Sequence, residues 1–177
     1  MSDGPMVELQ ALDRLRSAFD ESFALPYAGR EDPESVIQLR AGSQVFAIRT
    51  GHIAGLVKSR KIVHLPSRIP ELLGVAVLRG SLIPIYDAAA LLGIPAGVSG
   101  PAWLILVPGD TLIGLAFDAF EGQHVPEWLS DERGAGVHVS QLVRVGSAVR
   151  AVLDIAGMAQ AIRRRAGLAE PARERKQ

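Results

Sequence analysis

The chain has 177 residues, 48% hydrophobic and 21% charged, enough to bury a core for one domain or two small intimately packed ones. Its 19 basic and 19 acidic residues cancel, so no global field draws in nucleic acid or an anionic membrane surface. Aromatic residues make up only 5%, few for stacking bases, and the absence of cysteine excludes disulfides, thiolate catalysis and cysteine-based zinc sites.

The N-terminus lacks a basic stretch followed by an apolar run, so no signal peptide is expected. No segment reaches the roughly 18 consecutive apolar residues of a membrane span. The expected location is cytoplasmic. Over residues 6–23, Leu9, Leu12, Leu15, Phe19 and Phe23 recur at spacings of three and four. That spacing predicts an amphipathic helix. Residues 26–35 carry Pro, Gly and charge and read as a linker. The acidic N-terminal end and the basic C-terminal end read as solvated flanks.

From Val36 onward the signals are those of strands. "VIQLRAGSQVFAI" alternates around an Ala-Gly-Ser turn and predicts a hairpin. "HIAGLVKS" and "RKIVHLP" predict further short strands, and "PSRIPELL" a loop with one helical turn. "GVAVL" and "SLIPIY" flank Arg79-Gly80. "WLILV" and "TLIGLAF" flank Pro108-Gly109-Asp110. "LVRV" and "AVRAVL" flank Gly146-Ser147. "FEGQHVPEWL" extends the sheet, and "DIAGMAQAIRRR" has Ile155, Met158, Ala159 and Ile162 at helical spacing. The tail after Gly167 is expected to fray. Many short strands between Gly- and Pro-rich turns, without long helices between them, predict a mainly β fold. Two small barrels sharing an apolar seam fit the strand lengths better than one large barrel. The expected organisation is an N-terminal helical extension and linker over 1–35, a folded domain over 36–166 and a basic tail over 167–177.

The chemical inventory is poor. His52, His64, His124 and His138 form no metal-binding spacing, so no metal is expected. There is no G-x-S-x-G, no P-loop and no G-x-G-x-x-G. Asp87 opens "DAAALLG", where a carboxylate caps a helix, and Asp118 stands at the end of a strand in a similar capping or turning role. A paired-carboxylate site built from these two is the enzymatic alternative. What remains is surface. Arg79, at a turn tip between two apolar strands, is either a solvated turn residue or a bidentate fork for a partner's carboxylate.

The order of these pieces resembles the CheW-like domain, the coupling module of bacterial chemosensory systems. The central family pattern, G-V-x-N-L-R-G-x-x-x-P-V-x-D-L followed by a short helix ending in L-G, stands here as "GVAVLRGSLIPIYDAAALLG". Gly74, Val75, Leu78, Arg79, Gly80, Pro84, Asp87, Leu92 and Gly93 fall in place. "LIGLAFDAF" is similar to the family's G-L-x-V-D-x-V, and "VGSAVRAVLDIAGM" to its closing D-G-x-x-x-x-L-D-I-x-x-L. The similarity runs from about Val36 to about Ile162. Three positions depart from the pattern. The Asn before Leu-Arg-Gly is Val77, the acidic residue of the third strand is Gly55, and the Asp of the last hairpin is missing around Val145-Gly146.

The resemblance implies two small five-stranded β-barrels with a common core and a C-terminal helix. It implies no catalysis and no cofactor. It implies an adaptor in chemotaxis signal transduction, joining a methyl-accepting chemoreceptor tip to the regulatory domain of a CheA-type histidine kinase and recruited to receptor arrays. Arg79 matches the family's coupling arginine. With Leu78 and Gly80 it forms the expected partner-binding turn, and Ile53 and Leu56 resemble positions on a receptor-facing groove. Gly74, Pro84, Asp87 and Asp118 are expected to serve the fold. The variant reading is an accessory protein that binds only one of the two partners; a third is a module that self-assembles through its terminal helix.

Overall fold

A computed structural model describes residues 34–59, 61–98, 100–129 and 136–167. The helix expected over 6–23 and the tail beyond Gly167 lie outside the described residues. The described residues fall in one compact unit.

Eleven strands are found among the described residues. In order they are β1 (Val36–Ala41), β2 (Gln44–Arg49), β3 (Gly55–Lys58), β4 (Leu72–Leu78), β5 (Ser81–Asp87), β6 (Trp103–Val107), β7 (Ile113–Phe117), β8 (Ala119–His124), β9 (Glu127–Trp128), β10 (Val139–Val145) and β11 (Ala148–Leu153). Helix α1 (Ala88–Leu91) follows β5 directly and α2 (Ile155–Arg165) follows β11. The strands form a six-stranded sheet A in the order β8-β1-β2-β11-β10-β9 and a five-stranded sheet B in the order β3-β6-β7-β5-β4. The mainly β, two-body fold is the one expected. It differs in detail: sheet A has six strands, and neither strand order closes on itself. Sheet B, built from β3 to β7, is inserted in the chain between β2 and β8 of sheet A.

The alternation of side chains sorts the residues into three cores. The largest lies where one face of each sheet meets α2. Ile37, Leu39, Phe46 and Ile48 from sheet A pack with Tyr86, Ile105, Leu115 and Phe117 from sheet B. Ile155, Met158, Ala159 and Ile162 close it from α2, as their helical spacing predicts. The opposite face of sheet B carries a second cluster, with Ala76, Ile83, Ile85, Leu104 and Ala116 buried. The opposite face of sheet A carries a third, around Val36, Ala47, Val143 and Val152. Each fully buried Leu or Ile contributes about 1.5–3 kcal/mol relative to exposure. The shared seam, where the most such residues meet, holds the two sheets as one body.

Local signals set the ends of the elements. The Asp87 carboxylate accepts from Ala89 N at 2.8 Å and from Ala90 N at 3.4 Å, which caps α1. Asp154 caps α2 by accepting from Gly157 N at 2.9 Å. The last turn of α2 carries Arg163, Arg164 and Arg165, the sign that suits the negative end of a helix dipole. Arg163 donates to Pro108 O at 3.1 Å, and Arg165 pairs with the buried Glu71 carboxylate at the foot of β4. "RKIVHLP" does not form a strand; only Val63 bridges β4, opposite Val75. Pro66, three residues on, cannot extend a ladder. Residues 66–69 form no helical turn, and the chain turns only at Pro70 and Glu71. No helix among the described residues is long and apolar enough to cross a membrane.

Candidate partner-binding site

The site is built on the β4–β5 hairpin. Its register runs Leu78 to Ser81, Val77 to Leu82, Ala76 to Ile83 and Val75 to Pro84, leaving Arg79 and Gly80 as a two-residue loop. Both loop residues have positive φ, +50° at Arg79 and +79° at Gly80. That is the pattern of a type I′ turn, whose handedness suits the strand twist and whose first position normally goes to Asn, Asp or Gly. Arg79 therefore sits in a backbone region that side chains other than Asn, Asp and Gly pay to enter, on the order of 1 kcal/mol.

The Arg79 side chain is exposed and makes no hydrogen bond or ion pair among the described residues. Other arginines are engaged. Arg40 meets Glu121 at 3.1 Å and Arg144 meets Glu127 at 2.9 Å. Arg49 pairs with Glu34, donates to Gln141 Oε1 at 2.8 Å and lies 3.9 Å over the Trp128 ring. Beside Arg79 runs an open groove of about 600 Å³, lined by Ala54, Val57, Val77, Leu78, Leu106 and Leu112. A cation at the lip of an apolar groove suits a protein segment that offers a carboxylate next to apolar side chains.

The structure brings together only some of the residues expected to bind. Leu78 and Arg79 line the groove, and Gly80 is exposed at the tip. Ile53 and Leu56 are half-buried and pack against the core between the sheets, on the other side of β3. Their neighbours Ala54 and Val57 face the groove instead. Within β3 the period-two alternation sends Leu56 inward and Val57 toward the groove, while Ile53 and Ala54 lie ahead of the strand.

The expected structural residues take separate places. Gly74 is buried with φ of +140°, and an added Cβ would overlap the Val63 carbonyl, so only glycine lets the 63 segment bridge β4. Pro84 is tolerated inside the sheet because the β5–β7 pairing begins one residue later, at Ile85. Asp118, between β7 and β8, accepts from Gly42 N at 2.6 Å through Oδ2, and its own N–H donates to Arg40 O. It thereby buttresses the β1–β2 turn. The carboxylates of Asp87 and Asp118 are thus committed to backbone donors on different elements. No group of three His, Asp or Glu residues able to hold a metal occurs among the described residues.

Sequence reasoning missed two features. One is the exposure of Val77 and Leu82, at 61% and 70%; the strands read as wholly apolar, and only the register shows which side is uncovered. The other is the Glu71–Arg165 pair, which joins residues 94 positions apart and leaves no local signal.

Residues 35–163 match the family model of the CheW-like domain. The fold is similar to the crystal structure of the scaffolding protein TtCheW from Thermoanaerobacter tengcongensis. The TM-score is 0.59 at 16% identity, covering 74% of this chain and 90% of that one. No curated protein matches the chain in sequence. With a family match over most of its length, spanning every strand of both sheets, the chain belongs to the CheW-like domain family.

Proposed function

We propose that this protein is a non-catalytic adaptor that couples a chemoreceptor tip to the regulatory domain of a CheA-type histidine kinase. The reading places it in the cytoplasm, at receptor arrays. The observation that carries it, beside family membership, is the guanidinium of Arg79, unpaired among the described residues and held in a strained conformation at the lip of an apolar groove. Strain kept at an exposed position supports a role that the fold itself does not require. Coupling of this kind needs no chemistry. A rigid body that holds two partners raises their effective concentration and transmits a receptor change if its contacts differ between the receptor's states.

Calorimetric titration of the full chain with each purified partner from the same cell tests the proposal. Both bind the wild type, and Arg79→Glu lowers affinity for at least one by at least about tenfold while the thermal melt stays in place. Absence of binding to both partners would overturn it. A narrower reading, in which only one partner is held, is favoured by the departures at Gly55 and Val77. Two separate titrations distinguish it.

A further inference from the structure

Helix α2 joins the two sheets, and its two ends are fastened by different means. The first end leaves β11 of sheet A directly, and Asp154 fixes it there. The Asp154 carboxylate accepts from Gly157 N at 2.9 Å, and its own N–H donates to His138 O at 2.8 Å. Ile155, Met158, Ala159 and Ile162 follow as a buried stripe in the core between the sheets. Three residues further that stripe reaches position 165, where the sequence has arginine in place of another apolar residue. Arg165 meets the carboxylate of Glu71, at the foot of β4 in sheet B. The Glu71 backbone is itself held, its carbonyl accepting from Asp87 N at 2.8 Å. With the bond from Arg163 to Pro108 O, this pair fastens the far end of α2 to sheet B.

The pair is not built as a tight joint. The Glu71 side chain is 11% exposed and that of Arg165 is 55% exposed. Glu71 Oε1 accepts from Arg165, while Oε2 is buried with no hydrogen-bond partner among the described residues. A carboxylate taken out of water with one oxygen unmet is held at a cost. An ion pair in such a place is often no better than two apolar side chains of the same volume. What it adds is an easy exit. When the last turns of α2 lift, both Glu71 oxygens regain water, and the guanidinium, already half in solvent, loses little. An apolar contact there would oppose the same motion, because lifting it exposes hydrocarbon.

We infer that α2 is a releasable strap between the two sheets and that the Glu71–Arg165 pair is its catch. The last two turns lift from sheet B while the Asp154 end stays on sheet A, and no strand has to unpair. Lifting uncovers Ile162 and the part of the core beneath it, so the catch sets how often that apolar surface meets solvent. The device stands independently of the adaptor reading.

Amide hydrogen exchange of the full chain, followed residue by residue by NMR, tests the strap, with a urea titration of each variant to fix its global stability. In the wild type the amides of residues 161–165 should exchange at least about tenfold faster than global unfolding alone allows, while those of β7 exchange at the global rate. Glu71→Gln removes the charge and leaves Arg165 free to hydrate, so the fold is kept. It should speed the 161–165 amides by at least about fivefold and leave β7 unchanged. Glu71→Met combined with Arg165→Met closes the exit and should slow the same amides by at least about tenfold. Ordinary fraying of a helix end predicts no change in either variant, and that result would overturn the inference. So would faster exchange in the double variant, which would make the pair an anchor that the helix needs. Wild-type 161–165 amides that exchange only at the global rate would show that α2 does not lift by itself, and the inference would fail.

Discussion

Among the described residues three hairpins close on two-residue loops, and they do not treat the demanding first position alike. In sheet A, Gly42-Ser43 joins β1 to β2 and Gly146-Ser147 joins β10 to β11. Both give that position to glycine, at φ of +58° and +59°. In sheet B, β4 and β5 close on Arg79-Gly80, and arginine takes the same region at +50°. Two turns follow backbone preference and one opposes it. The lesson is that the sheet A turns are solved for the fold, while the sheet B turn gives up stability for a side chain left unpaired among the described residues.

This contrast is open to direct attack. The largest effect is expected at Gly42. An alanine there keeps the unfavourable φ, and its Cβ would overlap the Pro95 carbonyl. Gly42→Ala should destabilise by about 2–4 kcal/mol in a urea titration. An unchanged midpoint would mean that the β1–β2 turn is not constrained. Asp118→Ala removes the acceptor of Gly42 N and should cost about 1–3 kcal/mol, seen as a lower melting temperature. Gly146 has nothing within contact range of an added Cβ, so only backbone strain is added. Gly146→Ala should cost about 1 kcal/mol, and a cost as large as that at Gly42 would blur the distinction between strain and overlap. The smallest shift, and the sharpest, is at the tip. Arg79→Asn gives the type I′ turn its preferred residue and should stabilise by about 0.5–1 kcal/mol. The same variant should lose partner affinity by at least about tenfold. Gain in one measurement and loss in the other is the signature of a residue retained against the interest of the fold.

Much of this was legible in the amino-acid order, because hairpins are local. The β1–β2, β4–β5, β6–β7 and β10–β11 pairs could each be read from alternation and a turn. So could α2, from the spacing of Ile155, Met158, Ala159 and Ile162. What could not be read was how distant strands meet. β1 pairs with β8 across the whole of sheet B, and β11 lies parallel to β2 with Val152 opposite Ala47. No local pattern encodes such pairings. The same limit applies to the site. Arg79 was visible because a turn betrays its own tip. The division of β3, with Leu56 inward and Val57 toward the groove, depended on which face sheet A covers. "RKIVHLP" has the composition of a strand, yet a single bridge at Val63 is all that forms before Pro66 stops it. The bare face of Val77 and Leu82 was hidden for a related reason. Apolar residues look alike in a sequence whether a neighbour buries them or not.

The nesting of one sheet inside the other has a mechanical consequence. The parallel contact between β2 and β11 clamps the chain on either side of the segment that carries sheet B. Tension applied ahead of β1 and beyond α2 would enter through sheet A, to which β1 and β11 belong, and reach the hairpin tip last. A cable fastened to either end could thus strain its moorings while the hook it carries kept its shape.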